Sequence, residues 1–185
     1  HEFGDALEPA LGFLPRPGTR QHAGGCSFKP RPSDNGLFRP IRQTFFRSYF
    51  SRVDNLNGTN ESWAYAATPF DIEFDSGELV EFTVAPQYEL LPAPFEVVRG
   101  LAIPPGGYRF TRWHLGGETS PHRRWRFEGR ASFGSFYTGN LSQWGQGISW
   151  TSPRGRWQAG VEVENNFGHL REGNFVQRLW QATFA

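Results

Sequence analysis

The sequence has no methionine, a single cysteine and a single lysine, and it also lacks long apolar runs and catalytic motifs. With one cysteine, Cys26, an internal disulfide and a zinc site built on several cysteines are excluded. No stretch reaches the roughly 18 consecutive apolar residues of a transmembrane helix. The nucleophile elbow, the P-loop and the glycine pattern of dinucleotide sites are all missing. We therefore predict no cofactor and no metal site.

The charges nearly cancel, with 19 basic and 18 acidic residues and a net charge of +1. This balance gives no general attraction to nucleic acid, and we predict that the protein binds none. Lys29 is the only lysine, so the other basic residues are all arginine. Arginine stays charged in a medium of low dielectric constant and suits paired charges in a sheet or barrel. A GC-rich coding sequence would produce the same bias.

The most regular pattern lies at residues 124–137, where two kinds of side chain alternate strictly. One parity holds Trp125, Phe127, Gly129, Ala131, Phe133, Ser135 and Tyr137, and the other holds Arg124, Arg126, Glu128, Arg130, Ser132 and Gly134. A period of two predicts a β-strand with an aromatic face and a charged face. Its length approaches the ~9–11 tilted residues that cross a bilayer, whereas soluble strands average about five or six. A membrane barrel and a soluble sandwich both remain open.

Similar alternation recurs from residue 41 to the end, and it predicts an all-β fold. We expect an antiparallel up-and-down meander of about eight strands that forms a β-barrel or a partial, open barrel. Short turns at 75–78 and 152–155 and a polar loop at 165–174 separate the predicted strands. Residues 1–40, which contain six prolines, read as an irregular Pro/Gly-rich N-terminal arm, and residues 41–185 as the barrel-like domain.

In a barrel, the two parities take different roles. We predict that the lumen-facing polar residues are Arg124, Arg126, Glu128, Arg130, Glu162 and Glu164. We predict that the lipid-facing or girdle residues are Trp125, Phe127, Phe133, Tyr137, Trp144, Trp150, Trp157 and Trp180. Lumen arginines could select anions or sugars. Alternatively, the arginines pair with Glu162 and Glu164 in a cross-strand lattice, and the two interpretations are compatible.

The weak catalytic candidates are carboxylates and histidines. Asp71, Glu73 and Asp75 alternate along one predicted strand face, where an acid and a base could act as they do in glycosidases. His114, His122 and His169 could join Ser120 and a carboxylate in a nucleophilic arrangement, or they could bind a metal. The structural alternatives are an acidic strand face and solvated loop histidines, and the histidine spacing fits no zinc pattern.

Five strings of the sequence resemble one bacterial family. They are Pro9-Ala-Leu-Gly-Phe-Leu-Pro-Arg16, Phe45-Phe46-Arg47, Asp75-Ser76-Gly77, Ile103-Pro-Pro-Gly-Gly-Tyr-Arg-Phe110 and Gly134-Ser-Phe-Tyr-Thr-Gly139. From about Pro9 to Phe184 the chain resembles the C-terminal region of large, mostly uncharacterised proteins with an N-terminal domain like carbohydrate-binding module family 9. That resemblance implies an outer-membrane β-barrel region, and the shared motifs are structural rather than catalytic. The carbohydrate-binding domain and further strands are lacking, so we expect a fragment of a larger barrel.

The leading functional expectation is therefore part of a bacterial outer-membrane barrel that handles carbohydrate or other nutrients at the cell surface. Its expected partners are the lipid bilayer, a carbohydrate ligand and the missing strands or domains of a larger parent chain. One alternative is a hydrolase of glycosidic, ester or lactone bonds that uses Asp71, Glu73 and His122. A second is a soluble carbohydrate-binding β-sandwich with exposed tryptophans. Either alternative would make the protein periplasmic or secreted.

Overall fold

The computed structural model describes residues 2–3, 18–32 and 36–185, and all statements below concern these residues. The strands are β1 (Glu2–Phe3), β2 (Thr19–Phe28), β3 (Ile41–Thr44), β4 (Phe46–Asn55), β5 (Asn60–Phe74), β6 (Leu79–Leu91), β7 (Phe95–Val98), β8 (Leu101–Ile103), β9 (Gly106–Glu118), β10 (Trp125–Phe136), β11 (Gly139–Thr151), β12 (Gln158–Leu170) and β13 (Gly173–Phe184). The helical content of the described residues is one short 3-10 segment, Gly36–Phe38. Within these ranges no helix has the length and apolarity needed to span a bilayer.

The strands form one large antiparallel up-and-down sheet, which confirms the predicted fold class. Its order is β1-β2-β4-β5-β6-β9-β10-β11-β12-β13, and β3 pairs with β5 beside β4. β7 and β8 form a separate two-stranded sheet. No pairing between described residues joins β2 to β13, so the sheet is open there. The described residues hold more strands than the eight expected, because β1 and β2 lie in the predicted arm and β7 and β8 form between β6 and β9. Two segments in particular were misread.

The first misread segment is Thr19–Phe28, which lies in the expected irregular arm but forms a strand along β4. The nearby prolines suggested a break, whereas the edge of β4 needs a partner for its backbone N–H and C=O groups. Close packing favours glycine in this strand, because a Cβ on Gly25 would lie 2.8 Å from the Ser48 carbonyl oxygen. Residues 4–17 of the predicted arm lie outside the described residues.

The second misread segment is 165–174, which was predicted as a polar loop. β12 continues to Leu170 and β13 begins at Gly173, so only two residues make the turn. The predicted turns at 75–78 and 152–155 are confirmed. In the first, the Gly77 amide donates to the Phe74 carbonyl at 2.8 Å, and Gly77 has a φ of 88° that favours glycine.

The connections divide between two rims of the sheet. The loop rim carries the segments 75–78, 119–124 and 152–157. The hairpin rim carries the turns 56–59, 137–138 and 171–172, and the β7–β8 hairpin within 92–105. A small apolar core lies at the hairpin rim, where Leu91, Ile103 and Leu170 are buried together. Elsewhere the large side chains of the sheet are mostly exposed.

Candidate functional site

The sheet has two chemically different faces, which follow directly from its register. Trp125 pairs with Trp150, and Ala131 with Trp144, so these side chains share one face across β10 and β11. The larger apolar side chains of this apolar face are Phe50, Tyr65, Phe70, Val80, Phe82, Trp113, Leu115, Trp125, Phe127, Phe133, Trp144, Ile148, Trp150, Val161, Val176, Trp180 and Phe184. Polar and charged side chains interrupt it at several positions, which are Arg52, Arg109, Gln146, Asn165 and Arg178.

The opposite, polar face carries nearly all the charge of the central strands. Its charged, amide and hydroxyl side chains include Arg47, Asp71, Glu73, Glu81, Thr83, Arg112, His114, Glu118, Arg126, Glu128, Arg130, Gln143, Glu162, Glu164 and Asn166. The predicted alternation of β10 therefore extends over its neighbours. Because both faces keep their character from β5 to β12, the sheet presents two different continuous surfaces.

The apolar face is exposed rather than packed against a second layer. Trp125 is 54 % exposed, Phe127 is 50 % exposed and Trp180 is 73 % exposed. Exposed apolar patches on monomeric soluble proteins rarely exceed a few hundred Å². Among the described residues, this face extends from β4 to β13 without a covering layer.

Aromatic side chains collect where this face meets the loop rim. The ring centroids of Trp125 and Trp150 lie 6.4 Å apart, and those of Trp157 and Phe184 lie 5.6 Å apart. These four residues belong to the loop-rim ends of four neighbouring strands, from β10 to β13. Trp144 and Trp180 lie further inside their strands.

Ion pairs connect strands across the polar face. The Arg130 guanidinium lies 3.3 Å from a Glu128 carboxylate oxygen and 3.5 Å from one of Glu162. Arg126 pairs with Glu118 of β9, although the lattice interpretation joined it to Glu162 or Glu164. Arg126 is therefore directed toward β9, whereas Arg130 reaches toward β12.

A second group of ion pairs lies on β3 to β6. Arg47 pairs with Asp71 of β5, and its guanidinium also lies 3.2 Å from a Glu81 oxygen of β6. Arg42 pairs with Glu73 at 2.9 Å. These carboxylates are therefore held by arginines of neighbouring strands.

Glycines clear the space that the Arg130 contacts need, and the sequence reasoning missed this. Arg130 lies opposite Gly116 of β9 on one side and Gly145 of β11 on the other. Gly147 lies between Glu128 and Glu162 in the same way. Because β11 has no side chains at these positions, groups of β10 and β12 meet above it. The sequence signal that could have revealed this gap is that Gly145 and Gly147 lie two residues apart, on the same face of one strand.

Arg112 was also missed, and it organises the polar face near the hairpin rim. It is only 4 % exposed. Its guanidinium donates to the Gly134 carbonyl at 3.1 Å, to the Leu141 carbonyl, to the Ser132 hydroxyl at 2.9 Å and to the Gln143 amide oxygen at 3.1 Å. Such bonds stabilise a buried cation because they replace its water.

A chain of amide and carboxylate groups extends from Arg112 along the polar face. Gln143 donates to Asn166 at 2.9 Å, and Asn166 donates to Glu164 at 2.9 Å. We call Arg112, Ser132, Gln143 and Asn166 the arginine layer. A cleft of about 490 Å³ adjoins this layer, and its lining includes Glu81, Thr83, His114 and Glu164. The cleft offers donors and acceptors to a polar solute.

Three of the predicted face residues lie elsewhere. Arg124 precedes β10 and lies in the loop-rim segment 119–124. It therefore continues the alternating pattern of the sequence but is not part of the strand. Trp157 precedes β12 and stacks on Phe184 at the loop rim. Tyr137 is a correction to the girdle prediction. It is half-buried at the hairpin rim, with its ring 4.9 Å from that of Phe110 and its hydroxyl 2.6 Å from Glu89. The turn after β10 reverses the chain, so parity no longer sets its direction.

The catalytic candidates are not brought together. Asp71 and Glu73 are paired with arginines, and Asp75 lies in the β5–β6 turn, where its amide donates to the Pro40 carbonyl at 2.9 Å. His122 and Ser120 lie in the loop-rim segment 119–124, where the His122 amide donates to the Ser120 hydroxyl at 3.4 Å. Among the described residues, no hydrogen bond or ion pair joins this segment to Asp71 or Glu73.

The histidines are separated as well. His114 lies on the polar face of β9, whereas His169 lies on the opposite face near the hairpin rim and contacts Asn174 at 3.2 Å. Within residues 2–3, 18–32 and 36–185, no group of three His, Cys, Asp or Glu side chains could hold a metal ion. These positions do not assemble a catalytic or metal centre.

Comparison of the chain with protein-family models, with curated proteins and with solved structures yields no match.

Proposed function

We propose that this chain is a segment of a bacterial outer-membrane β-barrel. In this proposal the apolar face contacts lipid acyl chains and the polar face lines an aqueous lumen. The observation that carries the proposal is the continuous exposed apolar face opposite a continuous ion-paired face on one antiparallel sheet. Transmembrane barrels alternate in this way, with aromatic girdles at the interfaces.

Strand length supports the proposal. β6, β9, β11 and β12 have 13 residues each, and β10 and β13 have 12. A tilted strand needs about 9–11 residues to cross the hydrocarbon layer, so each of these strands is long enough. The aromatic residues at the loop rim, Trp125, Trp150 and Trp157, would then lie at the membrane–water interface.

Strand direction supports the expectation that further strands belong to the barrel. Eight antiparallel steps separate β2 from β13 in the sheet order, so these two strands run in the same direction. Direct pairing between them would be parallel. β1 runs opposite to β2 but covers only two of its residues. Closure into an all-antiparallel barrel therefore requires an odd number of further strands between β2 and β13. Such closure is needed because unpaired strand edges are not tolerated in lipid.

The chemical class of the solute that the barrel handles is inferred from the family resemblance. We propose that the parent protein handles carbohydrate or another polar nutrient at the cell surface. The cleft beside the arginine layer offers carboxylates, a hydroxyl and an imidazole, and such groups can bind hydroxyl-rich solutes. No residue of the chain is assigned a catalytic role.

The test is refolding with and without a membrane environment. The chain is refolded in plain buffer, in detergent, and in vesicles whose lipids carry bromine along the acyl chains. We expect folded β-structure only with detergent or lipid, and strong quenching of tryptophan fluorescence by the brominated lipid. Vesicles of unbrominated lipid are the control. A monodisperse folded protein in plain buffer, or folded protein in vesicles without quenching, would contradict the proposal.

A further inference from the structure

The β7–β8 hairpin covers the end of the polar face at the hairpin rim. Ile103 of β8 is fully buried, with 0 % exposure, and it packs with Leu91 of β6 and Leu170 of β12. The partly buried side chains around this contact are Val97, Leu101, Tyr108, Phe136, Tyr137 and Phe175. The wall residues Leu91, Tyr108, Phe136 and Leu170 have the same parity as the polar face. The polar face therefore ends under an apolar cover.

This hairpin is a structural unit of its own. β7 and β8 pair with each other and form a sheet separate from the large one. Its tip is internally stabilised, because the Gly100 amide donates to the Glu96 carboxylate at 2.6 Å and Gly100 has a φ of 83°. The backbone pairing of the hairpin is therefore internal and does not use the ladders of the large sheet.

Prolines lie on both sides of the hairpin. Pro92 and Pro94 precede β7, and Pro104 and Pro105 follow β8, and all four are exposed. A proline has no N–H to donate, so these segments cannot simply extend the ladders of β6 and β9. The hydroxyl of Tyr108 donates to the Pro104 carbonyl at 2.7 Å, which links the hairpin to β9. Apart from such links, the cover is held mainly by apolar side-chain packing.

The cover stands next to the arginine layer. Phe110 is 6 % exposed and Arg112 is 4 % exposed, and both follow Tyr108 on the same face of β9. Along β9 from the hairpin rim, the polar face therefore carries first Tyr108, which contacts the hairpin, then Phe110, and then the buried guanidinium of Arg112. Opening of the hairpin would give solvent a path to this end of the face.

We propose that the segment Phe95–Ile103, here called the lid, closes the hairpin-rim end of the polar face and opens as a unit about its flanking prolines. This inference rests on the proposed function only in treating the polar face as a lumen. In that setting the closed lid blocks the lumen at the hairpin rim, and the open lid leaves the lumen accessible to solutes from that rim. The open and closed states differ mainly in the apolar contacts of Ile103 and its neighbours.

The test measures how easily a cysteine under the lid is reached from solution. In a Cys26→Ser background, Leu170→Cys places the one reactive thiol beneath Ile103. We expect slow alkylation by a membrane-impermeant maleimide when the lid is closed. Ile103→Asp should raise the rate by about tenfold or more, because a buried unpaired carboxylate destabilises the closed state. Ala102→Asp, at the exposed neighbouring position, should leave the rate unchanged.

A milder variant protects the test against misfolding. Tyr108→Phe removes only the hydrogen bond to Pro104, and it should raise the alkylation rate several-fold with unchanged circular dichroism. The lid proposal is overturned if Ile103→Asp unfolds the large sheet, or if the lid variants and the parent are alkylated at equal rates. The measurement works in any medium in which the chain folds. Its failure is thus distinguishable from failed membrane insertion, which the brominated lipids report.

Discussion

Arg130 and Glu162 form an ion pair at 3.5 Å although a complete strand, β11, lies between the strands that carry them. The contact is available because β11 has glycine, and so no side chain, at positions 145 and 147 of its polar face. Cross-strand pairs normally join adjacent strands, so this contact is a property of three strands together. It suggests a direct test of the glycine positions.

Gly147→Val should destabilise the protein by about 1–3 kcal/mol, because overpacking forces neighbouring groups to move. A Cβ at this position would lie 2.7 Å from the Glu128 Cγ, and the branched side chain would separate Glu128 from Glu162. The measurement is the free energy of unfolding in urea. Gly129→Val is the matched control, because nothing lies within 4 Å of its Cβ position. Equal losses for the two variants would refute the role of the glycine gap.

Ile148→Arg and Ser149→Arg test which face meets lipid. Ile148 lies on the apolar face and Ser149 on the polar face, and both are exposed. A lipid-facing arginine near the bilayer centre costs about 2–4 kcal/mol, so Ile148→Arg should impair refolding into vesicles much more than Ser149→Arg. Vesicle refolding yields and stabilities give the comparison. If the apolar face met water instead, both variants would refold alike.

Arg112→Met should be strongly destabilising. The change leaves the Gly134 and Leu141 carbonyls without the guanidinium, at about 1–3 kcal/mol for each buried acceptor left unpaired. Arg130→Met removes an exposed arginine of the same face and should cost about 0–1 kcal/mol. Urea unfolding of both variants provides the measurement. A small effect of Arg112→Met would show that other groups or water satisfy the layer.

The stability of the fold should depend on pH through the carboxyl group of Glu78, which lies at the loop rim. The Ser76 hydroxyl, followed by the Arg123 guanidinium, holds the pKa of the Glu78 carboxyl below its usual value. Because the pKa of Glu78 is lower in the folded state than in the unfolded state, ionised Glu78 stabilises the fold. This stabilisation is complete above the pKa of the unfolded state and is lost as the pH falls through the pKa of the folded state. Urea midpoints measured from about pH 6 to pH 3 should therefore fall less steeply for Glu78→Gln than for the parent. Ser76→Ala should have a similar, smaller effect, and identical pH profiles would contradict the prediction.

The strand at 125–136 was predictable because its two parities differ so clearly. Trp125 and Phe127 alternate with Arg126 and Glu128, and no helix would separate these groups. Turn residues were equally informative, since Gly77 adopts the positive φ that its position suggested. Segments in which both parities are polar were harder. Asn165 and Asn166 read as a loop, yet they lie on opposite faces of β12.

The N-terminal strand was missed for a related reason. Prolines on both sides of 19–28 indicated irregular structure, and Gly24 and Gly25 have no side chains that could form a pattern. The strand is nevertheless paired with β4 from Thr19 to Phe28. Backbone hydrogen bonding to a neighbouring edge, rather than local preference, decides its conformation.

The sequence by itself determined the antiparallel fold class, several turns and the two faces of the central strand, because each depends on residues close together in the chain. The tertiary structure decided which strands meet, and so which charges pair. Arg126 joins Glu118 while Arg130 reaches Glu162, and Arg112 is buried among carbonyls from two other strands. Only tertiary structure could also direct Tyr137 and Ile103 into one core at the hairpin rim. Register and chain reversal act between distant segments, and no local period contains that information.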